Sequence, residues 1–183
     1  KDGSKMSKSA GNTVDPMEYV ETYGADVSRL GQMFMGDYTE MKPWSDATMK
    51  PCERLLNRIV ALKDKVQTGE IRDEQKFICA SSIKKVNEDI ENLKFNTAIS
   101  QIMIFTTALE KLDKITSEEY KVLLRILNPF APHITEELWE ECKFTPSIED
   151  APWPSYDEKD LIQNEVEIAV QQNSKIIGRI NIS

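Results

Sequence analysis

The sequence predicts a mainly α protein: an antiparallel helix bundle, preceded by a loop with two short connecting helices and followed by a β-hairpin. Three observations lead there. Apolar residues recur at three- and four-residue spacing through the middle of the chain. Short links join the segments that carry this pattern, as in bundles of neighbouring antiparallel helices. Near the end the period changes to two, which is the period of a strand.

Lys1 to Asp15 lack apolar periodicity and hold Gly3, Ser4, Ser7, Ser9, Gly11 and Asn12, the composition of a mobile loop. Asp15-Pro16 opens a helix, with Asp15 at the N-cap and Pro16 at the first helical position, and Gly24 stops it. A second short helix is expected over Asp26 to Met35, ending at Gly36. The polar stretch Asp37 to Pro43 and then Trp44 follow. From Pro51 to Val66 the residues Cys52, Leu55, Leu56, Ile59, Leu62 and Val66 share one helix face. Pro51 belongs in its first turn, because deeper in the helix its ring would meet the carbonyl four residues back. Asp73 to Leu93 forms the next helix. Another, capped by Asn96, runs to about Leu112 through Ile99, Ile102, Met103, Thr106 and Leu109. Ser117 with Tyr120 begins one that Asn128-Pro129 interrupts, and the last runs from Pro132 to Cys142.

A Pro- and Asp-rich linker, Phe144 to Asp160, separates these helices from alternating Val166, Ile168 and Val170, then Ile176, Ile180 and Ile182. Both apolar sets carry even numbers, so an odd-length loop is needed to place them on one face. A three-residue loop with a bulge around Asn173-Ser174 is expected. A lone hairpin is marginal in water, so these strands read as the start of a domain that continues. The resulting divisions are 1–43 (loop and connecting helices), 44–145 (bundle) and 146–183 (linker and hairpin 165–182).

The 183 residues are 40% hydrophobic and 30% charged, with a formal net charge of −8. That balance suits a soluble domain and opposes disorder. No apolar run approaches the ~18–20 residues of a membrane span, and no basic segment leads into an apolar one at the start. Cys52, Cys79, Cys142 and a single histidine support neither a zinc site nor a disulfide framework, so no metal site and a cytoplasmic location are expected. Residues 1–66 carry ten basic and ten acidic side chains, so the negative charge sits entirely later. A polyanion would therefore meet the first third.

Lys5-Met6-Ser7-Lys8-Ser9 places two ammonium groups three residues apart among small and hydroxylated neighbours. Such lysines can close over a polyphosphate and neutralise charge that develops on it. The bland reading is a solvated lysine-serine loop. A second cationic feature lies on the helix that begins near Pro51. Lys50, Arg54, Arg58 and Lys65 fall within roughly 80° of arc at 100° per residue, away from the apolar stripe and with no carboxylate of that helix among them. Phosphate binding competes there with a solvated face. His133 reads as structural, because no nucleophile or paired carboxylate accompanies it. Trp44, Trp139 and Trp153 could stack on bases, with packing the better reading for Trp139 and Trp153. Glu136-Glu137 and Glu140-Glu141 read as a solvated helix face.

KMSKSAGNTVDP followed by YGADVSRL resembles the second signature of class I aminoacyl-tRNA synthetases of the Leu/Ile/Val/Met group. MFMGDYTEMKPWSD, KFNTAISQIM, ILNPFAPHITEELWEE, APWPSYDEKDL and EIAVQQNSKIIGRINI extend the resemblance, in order, to the bacterial leucyl-tRNA synthetase family. The resemblance implies activation of leucine with ATP and Mg2+ to leucyl-adenylate, and transfer of the leucyl group to tRNA(Leu). It implies that Lys8, assisted by Lys5, binds and stabilises the ATP phosphates, with Ser7 and Ser9 beside them. Lys5 and Lys8 are then the catalytic pair, and the helices are an anticodon-binding bundle that grips tRNA. The HIGH-type signature and the leucine and editing pockets are missing here, so the chain alone is expected to be inactive and to partner catalytic and editing domains. The same region of an isoleucyl or valyl enzyme, or a helical interaction module with no nucleotide role, are the alternatives.

Overall fold

The computed structural model describes residues 5–37 and 39–162, with the backbone alone of 166–172 and 175–182. Seven helices are found among the described residues: α1 Pro16–Tyr23, α2 Ala25–Phe34, α3 Met49–Leu62, α4 Asp73–Glu91, α5 Phe95–Glu110, α6 Ser117–Leu127 and α7 Pro132–Glu141. The mainly α expectation holds.

Local signals account for most boundaries. The Asp15 carboxylate accepts from the Met17 amide, and Pro16 follows at the first helical position. Gly24, at φ 87°, both ends α1 and turns the chain into α2. Pro51 is the third residue of α3, inside the first turn where its missing N–H costs nothing. α3 ends at Leu62 and tightens into a 3-10 turn, Lys63–Lys65, so Val66 is a strand residue and not helical.

Two boundaries differ from expectation, while α6 begins at Ser117 as expected. α4 stops at Glu91, and Leu93 lies at φ 57° and 48% exposed, because the chain reverses there to enter α5. Lys94, not Asn96, occupies the cap position of α5. α6 is capped by Thr116, whose hydroxyl accepts from the Glu119 amide while the Glu119 carboxylate accepts from the Thr116 amide. A two-residue parallel pair, β1 Val66–Gln67 with β2 Ile115–Thr116, ties the end of α3 to the start of α6.

One core joins these elements. Leu55, Ile59, Leu62, Ile99, Ile102, Phe105, Leu123 and Leu127 are fully or almost fully buried. Val27 and Leu30 of α2 belong to the same cluster. α2 therefore packs into the bundle although it precedes residue 44. A Cβ on Gly31 would sit 2.4 Å from the Met49 sulfur, so glycine permits the close approach of α2 to α3. Tyr120 is buried in the centre and donates its hydroxyl to the Ile59 carbonyl at 2.9 Å.

The stretch after α7 is a strap as well as a linker. Trp139 donates its indole N–H to the Pro146 carbonyl at 2.7 Å and meets Phe144 edge-on. Ile148 joins the core, and Arg125 donates to the Pro152 carbonyl.

β3 Val166–Gln172 and β4 Lys175–Ile182 pair antiparallel. Ile168 stands opposite Ile180, which satisfies the parity argument. The odd offset arises inside β4, however. Pairing steps by one between Val170↔Gly178 and Gln171↔Ile176, leaving Ile177 as the bulged residue. Gln172 then pairs with Lys175, so a two-residue connection replaces the expected three-residue loop; Asn173 and Ser174 lie outside the described residues.

Candidate functional site

The loop before α1 is ordered by its own polar groups. Ser7 is extended and its hydroxyl accepts from the Ala10 amide, starting a 3-10 turn over Lys8–Ala10. Gly11, in the left-handed region at φ 62°, closes the turn with its N–H on the Lys8 carbonyl. Asn12 reaches back across it. Its Oδ1 accepts from the Ser7 amide at 2.8 Å, and its Nδ2 donates to the Lys5 carbonyl at 3.2 Å. The Asn12 side-chain amide thus bridges the two ends of the turn.

Lys5, Lys8 and Ser9 are exposed on this turn, and Ser7 is half-buried with its hydroxyl 3.3 Å from that of Ser9. Among the described residues, neither Lys5 nor Lys8 forms an ion pair with a carboxylate. Two cations thus project from a hydrogen-bonded turn without a counter-charge among the described residues. That arrangement can accept an anion with several oxygens while losing little conformational freedom.

The connecting helices fasten this loop to the bundle. Trp44 donates its indole N–H to the Asp46 carboxylate and the Tyr19 hydroxyl, and its ring meets Tyr19 edge-on. The hydrogen bond from Tyr19 to Asp46 raises the phenol's pKa, because it is lost with the proton. Further on, buried Asp26 of α2 caps α7. One carboxylate oxygen accepts the Ile134 amide at 2.7 Å, and the other lies 2.8 Å from His133 Nδ1. His133, with its side chain 72% exposed, completes this cap, in keeping with the structural reading.

The basic face of α3 is not four equivalent cations. Lys50 and Arg54 are exposed. Arg58 is held by α5, donating Nε to Glu110 Oε1 at 2.8 Å and a terminal nitrogen to the Thr107 hydroxyl at 2.8 Å. That hydrogen-bonded pairing lowers the Glu110 carboxyl pKa, outweighing partial burial. Lys65 donates to the carbonyls of Glu110 and Leu112 at 2.8 and 2.9 Å, satisfying the C-terminal end of α5. The carboxylate that the α3 face itself lacks is supplied by α5, which a single-helix projection does not include.

The remaining aromatic and acidic candidates divide simply. Trp139 is buried, whereas Trp153 is 41% exposed. Glu136, Glu137 and Glu140 face solvent, and Glu141 pairs with Lys63 at 2.6 Å. Burial pushes the Cys52 and Cys79 thiols up to about 12, which makes both poor nucleophiles. Among the described residues no helix is long and apolar enough to cross a membrane.

Comparison with known proteins fits this geometry. Residues 78–183 match the family model of the anticodon-binding domain of tRNA ligase, and residues 1–45 match that of class I tRNA synthetases (I, L, M and V). The leucine–tRNA ligase of Borrelia hermsii (strain HS1 / DAH) is 47% identical over 179 residues, covering 97% of this chain and 21% of that protein. That of Alkaliphilus oremlandii (strain OhILAs) is 43% identical over 98% of this chain and 22% of its own length. This chain thus spans about a fifth of the length of these relatives. A solved LeuRS of Agrobacterium radiobacter K84, in a ternary complex with tRNA and LeuAMS, aligns with TM-score 0.80 and 30% identity over 98% of this chain and 26% of that one. With more than half its residues inside the matched model, the chain belongs to the family of anticodon-binding domains of tRNA ligases, and its similarity to leucine–tRNA ligases runs nearly end to end.

Proposed function

We propose that this chain is the part of a leucine–tRNA ligase that carries the ATP-phosphate loop and a tRNA-binding bundle. The observation that carries the reading is the pair of ammonium groups, Lys5 and Lys8, that have no carboxylate partner among the described residues and stand on a hydrogen-bonded turn followed by α1 and α2. ATP would supply the adenylyl group that activates leucine: the leucine carboxylate attacks the α-phosphate and pyrophosphate leaves. Lys8 and Lys5 would bind its phosphates and stabilise charge that grows on them during activation, with the exposed Ser9 hydroxyl beside them. The Ser7 hydroxyl is occupied by the turn and acts on the backbone. Mg2+ would arrive with the nucleotide, held by phosphates and water.

In this reading the bundle holds tRNA(Leu) chiefly through Lys50 and Arg54, which have room for phosphates. Arg58 and Lys65 hold α5 in register beside them and contribute positive potential. Chemistry requires the catalytic and editing domains of a longer protein, and the compartment is the cytoplasm. The same region of an isoleucyl or valyl ligase is the second reading, favoured only by the shared loop.

Two measurements test the proposal. The full-length ligase should charge tRNA with leucine and not with isoleucine or valine. A Lys50→Ala/Arg54→Ala double variant of it should bind tRNA more weakly, with the log–log salt slope reduced by roughly 0.7–0.9 per phosphate lost. Affinity and slope equal to the parent's would reduce the basic face to a solvated surface.

A further inference from the structure

α5 carries no acidic residue from Phe95 to Leu109, in a chain of net charge −8. On its outer side Met103, Ile104, Thr107, Ala108 and Lys111 line a shallow groove of about 310 Å³. Ile104 is 55% exposed, and among the described residues it is the one large aliphatic side chain of helices α3 to α7 left so open to solvent. An apolar floor with a lysine at one end is unlike an ordinary solvated helix face.

Its position adds the second observation. Arg58 bonds Thr107 and Glu110, and Lys65 bonds the end of α5, so α3 and α5 run in the same direction. Arg54 lies one turn before Arg58, and Met103 lies about one turn before Thr107. The exposed Arg54 therefore stands at the level of Met103, with Lys50 a turn further back. Lys111 lies at one end of the groove, exposed Arg54 stands at its level on the neighbouring helix, and no carboxylate is among the described residues that line it.

We propose that this α5 groove seats the flat apolar face of one unstacked nucleotide of the bound tRNA, between phosphates held by Arg54 and Lys111. The proposal rests on the tRNA reading given above and extends it from phosphates to a base. Positive edges with an apolar floor suit a single-stranded nucleotide, whose faces are apolar and whose linkers are anionic. A protein partner with an apolar surface alone would leave the flanking cations unpaired.

The test separates the two kinds of contact by salt. In the full-length ligase, Ile104→Ala should weaken tRNA binding about five- to tenfold, as expected for losing the burial of a half-exposed aliphatic side chain, with the salt slope unchanged. Lys111→Ala should flatten the slope by roughly 0.7–0.9. Ile104→Phe should retain or raise affinity, because a ring enlarges the stacking surface. If Ile104→Ala binds like the parent at every salt concentration while the Lys50→Ala/Arg54→Ala variant does not, the groove is no nucleotide seat and the tRNA reading stands. If both bind like the parent, the tRNA reading falls with it. Loss of thermal stability or of self-association in Ile104→Ala, without a change in tRNA affinity, would assign the groove to another domain or a second copy and overturn the proposal.

Discussion

The loop before α1 and the α3–α5 face use the same side chains in opposite ways. Lys5 and Lys8 stand on a backbone stitched by Ser7 and Asn12, while their ammonium groups have no carboxylate among the described residues. Arg58 and Lys65 have theirs engaged by a carboxylate, a hydroxyl and two carbonyls. In the loop the protein spends its hydrogen bonds on the main chain and leaves charge available. In the bundle it consumes charge to fix helices. A cation's role follows from what its neighbours already satisfy, more than from its type.

The strongest challenge to this contrast is Lys8→Ala in the full-length ligase. If Lys8 stabilises charge developing on the ATP phosphates, as proposed above, its removal should slow ATP–pyrophosphate exchange by about 100-fold or more, with leucine affinity little changed. Equal losses in both would mean that the lysine binds ground state and transition state alike.

Within the bundle, Glu119 tests the structural use of charge. It is fully buried and accepts two hydrogen bonds from the Arg72 guanidinium and one from each of the Arg72 and Thr116 amides. Burial pushes its carboxyl up, but Arg72 and the two amides outweigh this, so its pKa lies below the usual 4.5. Glu119→Ala should cost about 3 kcal/mol in urea melts, the low end for breaking a buried pair. The sign of the pH effect follows from the lowered pKa. The stabilisation is present above pH 4.5 and is lost as pH falls through the folded value. Glu119→Gln should accordingly flatten the acid limb of stability against pH; an unchanged limb would place the acid sensitivity elsewhere.

Asp26 should matter less. Asp26→Ala removes the cap of α7 and is expected to cost about 1–2 kcal/mol, whereas His133→Ala, at an exposed partner, should cost about 0–1 kcal/mol. Equal costs would show that the His133 contact, and not the cap, holds the joint. The smallest effect is local. Asn12→Ala should speed amide exchange at Ser7 while leaving Ile59 and Phe105 protected, and no change at Ser7 would mean the turn is held by something other than the Asn12 amide.

Much of this was legible from local chemistry. Asp15-Pro16 announced α1, and the stripe from Cys52 to Leu62 announced α3. The Thr116-x-x-Glu119 capping box was equally visible in the sequence but was not used. Leu93 misled because its spacing continued the α4 stripe after the backbone had turned away. The hairpin's parity was readable, yet a bulge within a strand and an odd loop satisfy it equally, and the sequence did not choose between them. The loop lysines were found as a motif. The division of the α3 face required Glu110 and the α5 carbonyls, contacts 45 to 52 residues away along the chain. The Asp26–α7 cap, spanning 107 to 108 residues, left no local trace either.

α2 meets its partners at fixed angular positions. Asp26 addresses α7, and Val27 and Leu30 enter the common core. Gly31 lies against Met49. An α-helix advances about 100° per residue, so inserting or deleting one residue between Asp26 and Leu30 would swing the cap away from α7 or the apolar stripe out of the core. Point substitutions along the exposed side of α2 should drift freely, while changes in its length should not survive. The spacing between the Lys5–Asn12 loop and the bundle is thereby counted in residues: α2 works as a gauge block, and natural variation in loop-to-bundle length should accumulate in the segment between Asp37 and Pro43 instead.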